Sequence, residues 1–223
     1  MESDEHAALR ANNPFNAKRA ALAGHWGWEF APDAQWLLGR WPVLPVVARW
    51  SSHYRAAHAD RCYGAVIGAM SGVEFTVFDF QHDLVRGPTA PSWLASSWMN
   101  FVTDTVWVVS LPTPMPHVQV LPKKNGYWFL GWKLGRPTTH HAAFNQQHRL
   151  VDTDPDVAAR VLTPAVVNAA VALDLGTWAL IGNDLVYTEA SLHGGTPPER
   201  IVEVLGKLTA FLAHLPYDVA LNP

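Results

Sequence analysis

Along residues 73–82, "VEFTVFDFQH", side chains alternate between two faces. Glu74, Thr76, Phe78, Phe80 and His82 share one, while Val73, Phe75, Val77 and Asp79 share the other. A period of two predicts a strand. The preceding "YGAVIGAM" predicts its hairpin partner across Ser71-Gly72. The stretch 83–97 carries Gly87, Pro88 and Pro91 and reads as a loop. "WMNFVTDTVWVVSLP" (98–112) predicts the next strand and "HVQVLP" (117–122) a short one after it. "GYWFLGWKLG" (126–135), bounded by glycines, fits a strand or a tight turn.

Elsewhere the period lengthens. Ile201, Leu205, Leu208, Leu212 and Leu215 recur at three- and four-residue steps, which predicts a surface helix lying on a sheet. Thr196 and Glu199 have capping-box spacing, with Pro197 at the first helical position. "DPDVAARVL" and "TPAVVNAAVAL" read as helices entered through Asp154-Pro155 and Thr163-Pro164. "HAAFNQQHRLV" reads as a strand, and "WALIGNDLVYTE" as a hairpin turning at Gly182-Asn183. Residues 7–24 form an alanine-rich helix stopped by Gly24; a short strand and a helical turn around 33–39 follow, broken by Pro32, Pro42 and Pro45.

Alternating βαβ units are missing from this order. The expected class is therefore α+β: a largely antiparallel sheet, helices packed on one face, and a C-terminal amphipathic helix. One domain over 1–223 is expected, with an N-terminal helix (7–24), a tryptophan-rich strand region (25–135) and a strand–helix–hairpin–helix region (140–216).

Several stretches together are similar to a family of uncharacterised, mostly actinobacterial proteins of unknown function. They are "FTVFDFQH", "VWVVSLPTPMPHVQV", "FNQQHRLVDTDPDVAARVLTP", "WALIGNDLVYTE" and the terminal helix ending in "LP". The likeness spans residues 20–216 and is most specific from Phe144 to Pro164. After Phe144-Asn145 the family pattern is basic and aromatic, where this chain has Gln146, Gln147 and His148. The resemblance implies an α+β fold and carries no activity with it.

Composition narrows the function classes. The 223 residues are 49% hydrophobic and 16% charged, which is not the make-up of a disordered chain. Net charge is −3, and the adjacent basic pairs are Lys18-Arg19 and Lys123-Lys124, too few for a nucleic-acid footprint. Cys62 stands alone, so neither a disulfide framework nor a thiolate zinc site is expected. The acidic start "MESDEHAALR" is unlike a secretory signal, and no apolar run approaches about 18 residues. A cytoplasmic protein without a membrane span is expected. Ten of the eleven tryptophans precede residue 133, as core rings or as a stacking surface for an apolar ligand.

Candidate chemistry is sparse. Asp152, Asp154 and Asp156 alternate, but a calcium loop starting at Asp152 would need glycine and glutamate where Val157 and Thr163 stand. Asp154 before Pro155 is instead the arrangement of an N-cap. His140, His141 and His148 are close in sequence. On a strand, however, neighbours face apart, and His140 and His148 would be about 27 Å distant, so no metal centre is expected. Asp79 lies in an apolar row, where a carboxylate needs a partner or a moved pKa; His82 or His53 would make it an acid/base couple. Phosphate-loop, nucleophile-elbow and dinucleotide motifs are missing. Trp93 and Leu94 sit within the long 83–97 loop, where a rigid ring suits a partner contact.

The reading that follows is a non-catalytic binding protein for a protein partner, for self-association or for a small apolar ligand, with no cofactor. The alternatives are a histidine- or carboxylate-based enzyme using Asp79, His82, His140 or His141, and a porphyrin or other cofactor carrier built on the tryptophan-rich half.

Overall fold

The computed structural model describes residues 15–41, 61–83, 101–123, 134–191 and 195–219. Their alternating stretches pair into one antiparallel sheet of seven strands. These are β1 (Glu29–Asp33), β2 (Arg61–Met70), β3 (Val73–Asp83), β4 (Phe101–Pro122), β5 (Leu134–Gly135), β6 (His148–Val151) and β7 (Thr177–Ser191). The order is β1-β2-β3-β4-β6-β5, with β7 running along β4. Ser71 and Gly72 both take positive φ, 53° and 79°, the turn whose twist suits a two-residue hairpin between β2 and β3.

Two expected breaks in this sheet are instead bulges. β4 is one strand of 22 residues, not a strand followed by a short second one. Its prolines at 112, 114 and 116 supply no N–H, and the β4–β7 register slips between Ser110 and Met115 and again before Val118. The predicted hairpin at 178–189 is likewise one continuous strand, β7. Gly182, at φ 59°, pairs opposite Met115 and serves the bulge rather than a turn.

Among the described residues five helices accompany the sheet: α1 (Asn16–Trp26), α2 (Ala142–Gln147), α3 (Pro155–Val161), α4 (Pro164–Ala172) and α5 (Pro198–Leu212). α1 runs past Gly24 and ends at Gly27, whose φ of 69° makes it the left-handed stop. The strand expected at 141–151 is half helix, α2 followed by β6. Local side-chain bonds decide that: Asn145 Oδ1 accepts from the Thr139 N–H and hydroxyl, its amide donates to the Thr139 carbonyl, and His141 caps the first turn. Asp154 and Thr163 cap α3 and α4 as their proline steps predict. The capping box of α5 does not form, because Thr196 turns inward and its hydroxyl donates to Thr105.

The helices cover one face of the sheet. Ile201, Val204, Leu205, Leu208, Phe211 and Leu212 of α5 are buried there, against Trp107, Val109, Val120, Trp178 and Leu180. On the opposite face Phe78, Phe80, Val106, Val108 and Val186 pack with Ala34, Leu37 and Trp41 from a 3-10 turn (Gln35–Leu37) and its flanks. Among the described residues no helix is long and apolar enough to cross a membrane.

Candidate functional site

The helix-facing row of β3 starts apolar with Phe75 and Val77, then turns polar at Asp79 and Gln81. β4 lies beside it, with Thr103 and Thr105 opposite Gln81 and Asp79. One end of the interior is thus lined with polar groups, all of them buried. Arg19, reaching in from α1, answers them.

Arg19 and Asp79 are both fully buried. Nη2 donates to Asp79 Oδ1 at 3.0 Å, and Nη1 stands 2.9 Å from Oδ2. Nη1 also donates to the Gly64 carbonyl at 3.0 Å. Nε and Nη2 donate to the Thr196 carbonyl, at 3.2 and 2.9 Å. The Thr105 hydroxyl donates to Asp79 Oδ1 at 2.7 Å, and the Thr196 hydroxyl donates to Thr105 at 2.8 Å. Tyr63 completes the rim, its hydroxyl 3.4 Å from Thr103; burial first, and then the charge of Asp79, push its pKa up.

Two glycines make room for this cluster. A Cβ on Gly195, where φ is 112°, would lie 2.3 Å from Asp79 Oδ2, and one on Gly64 would lie 2.8 Å from Arg19 Nη1. A side chain at either position would displace the ion pair. The arrangement therefore clasps α1, β2, β3, β4 and the entry to α5 together, and its donors and acceptors face one another.

The remaining candidates fall in three places. His82 lies on β3 opposite Val102. His140 is exposed and contacts Asn168 of α4 through Nε2 at 3.1 Å, while His141 accepts the Phe144 N–H at Nδ1, also at 3.1 Å. The two rings meet edge to face with centroids 6.2 Å apart. Asp154 Oδ1 accepts the N–H groups of Asp156 and Val157, the N-cap expected of it. Among the described residues no group of three or more His, Cys, Asp or Glu is placed to hold a metal ion. His53, Trp93 and Leu94 lie outside the described residues.

The described tryptophans divide between interior and surface. Trp107 and Trp178 are fully buried and Trp41 nearly so, with its Nε1 donating to Asp184 at 2.8 Å. Trp28 lies over the backbone of Gly68, donates to the Ala69 carbonyl at 3.0 Å and meets the edge of Phe75 at 4.8 Å. Trp26 stacks on Trp28 at 5.2 Å, yet 52% of its surface stays exposed. An outer ring is thus held in one orientation by an inner one.

Sequence reasoning missed Arg19 as a member of the cluster and Trp26 as its exposed neighbour on α1. The available signal for Arg19 was a demand rather than a motif. Asp79 in an apolar row needs a cation, and α1 offers one on the same face as buried Ala23.

No family model and no curated protein matches the sequence. Among solved structures, the chain is similar to the crystal structure of the mycobacterial trehalose monomycolate transport factor A, TtfA. The TM-score is 0.59 at 13% identity, and the match covers 92% of this chain and 96% of that one. At that identity the likeness is one of fold.

Proposed function

We propose that this chain is a non-catalytic interaction protein, an accessory factor that acts in the cytoplasm by holding a protein partner, as part of a transport assembly. The observation that carries the reading is the coextensive likeness to a transport factor: the two chains match across nearly their whole lengths. The chemistry of the polar residues supports it. Asp79 is spent on Arg19 and Thr105, and His141 and Asp154 on helix caps. Trp93 and Leu94 in the connection from β3 to β4 are put forward as contacts, with the stacked Trp26 as a third.

Affinity capture of the tagged chain from its native cells tests this. The expected result is a stoichiometric protein partner belonging to a transport system. Trp93→Ala is expected to weaken capture several-fold while leaving the melting temperature unchanged, since a rigid ring anchors an interface at little entropic cost. Recovery of nothing beyond an untagged control, or a Trp93→Ala variant that melts early yet captures normally, would remove the reading or its contact site.

A further inference from the structure

The face of the sheet away from the helices holds a buried polar side chain that the Arg19–Asp79 clasp does not use. Along β4, Val118 and Val120 point into the helix-side core, so Gln119 between them points the other way. It is 0% exposed. Its backbone N–H donates to the Thr153 hydroxyl at 2.9 Å. Its carboxamide is treated differently: among the described residues neither Oε1 nor Nε2 has a hydrogen-bond partner. That group can donate twice and accept, and burying it unpaired costs stability. Turning the amide over would not help, because both of its polar atoms are in the same position.

The side chains around Gln119 are apolar. β7 places Ala179 opposite it, between Trp178 and Leu180, which both turn into the helix-side core. On the other side Val120 pairs with Leu150, which brings Val151 beside Gln119. Leu121 follows two residues along β4 on the same face. Ala179, Val151 and Leu121 are all buried. The row continues outward to Leu134 of β5, which pairs with Val151 and is 37% exposed. The charged groups nearby are already engaged. Arg149, paired with Leu121, donates from Nη1 to the His148 carbonyl at 2.6 Å, and the charge of Asp152 acts on His117. A charged guest would lose its water here without gaining a counter-ion, and an uncharged one would not.

The geometry points to a ligand site at Gln119 for a small, uncharged molecule that carries a carboxamide or lactam edge on an apolar body. Such an edge presents one N–H and one C=O side by side, the complement of the same pair on Gln119. Leu121, Val151 and Ala179 cover the apolar body, and Leu134 marks the way in over the two-residue strand β5. A polar group that costs the free fold stability and is satisfied by a guest is a common trade at binding sites. This site is independent of the protein partner proposed above.

Two measurements on the full chain test the site. Benzamide, titrated by ligand-observed NMR, is expected to bind the wild type saturably with a Kd on the order of 1 mM. Benzoate is charged and acetophenone lacks the donor, so both are expected to bind at least about tenfold more weakly. Gln119→Met keeps the side chain's length and removes both polar atoms. It is expected to lose benzamide binding while melting level with wild type or roughly 2–4 °C above it. Failure of benzamide to bind the wild type, or equal binding to Gln119→Met, would remove the site. If Gln119→Met instead melts several degrees early, the fold itself satisfies the carboxamide, through water or through the chain, and the assignment is overturned.

Discussion

Arg19 and Asp79 have each lost all their water, so each must be satisfied by the other and by the carbonyls and hydroxyls around them. The pair's value lies in its completeness more than in its charge. Asp79→Asn keeps the shape and an acceptor for Thr105 but leaves a guanidinium uncompensated in the interior. We expect a loss of about 3–5 kcal/mol, the usual cost of breaking a buried pair from one side, read as a lower denaturant midpoint. A variant within about 1 kcal/mol of wild type would mean that water reaches Arg19. Gly195→Ala should behave similarly for a steric reason, since its Cβ would sit 2.3 Å from the same carboxylate and φ there is 112°.

At the scale of elements, α5 is where pattern and packing agree best. Ile201, Leu205, Leu208, Leu212 and Leu215 are all buried, as their spacing requires. Leu205→Asp would bury an unpaired carboxylate mid-stripe, and a loss of several kcal/mol is expected, checked by thermal melting. A melt within a degree or two of wild type would mean that the stripe faces away from the sheet. Period alone sufficed here because a long helix with one apolar stripe has one way to bury it. It failed at β4 and β7, where prolines and Gly182 read as breaks and the structure uses them as bulges that keep two long strands in register. It failed again at α2, where the bonds of Asn145 and His141 outweigh a strand-like composition. The polar cluster was legible by half. Asp79 announced a need, but its partner stands 60 residues away on a helix, and no local pattern encodes that distance.

For the molecule as a whole, two half-buried histidines set a pH limit. Burial pulls the pKa of His117 below the ordinary range, against the opposing charge of Asp152 and the carbonyls of Val151 and Leu180, and it does the same to His148. The folded chain then binds fewer protons than the unfolded one as the pH falls through the histidine range. Stability is complete above about pH 6.5 and declines below it, toward the lowered folded values. Urea midpoints taken at steps across that range should fall on acidification. A flat profile would show both rings to be as free to protonate in the folded chain as in the unfolded one.

The clasp also sets an order of events in the cell. Arg19 is held by Thr196, 177 residues later, so the contact closes only after residue 196 has been synthesised. At about 5–20 residues per second, the interval between making Arg19 and making Thr196 is roughly 9–35 s. For the later part of that time the ribosome carries a nascent chain whose first described helix has Asp79, made 60 residues after Arg19, but not its final tether. A nascent chain stalled before Gly195 should leave that helix open to protease, whereas the released protein protects it.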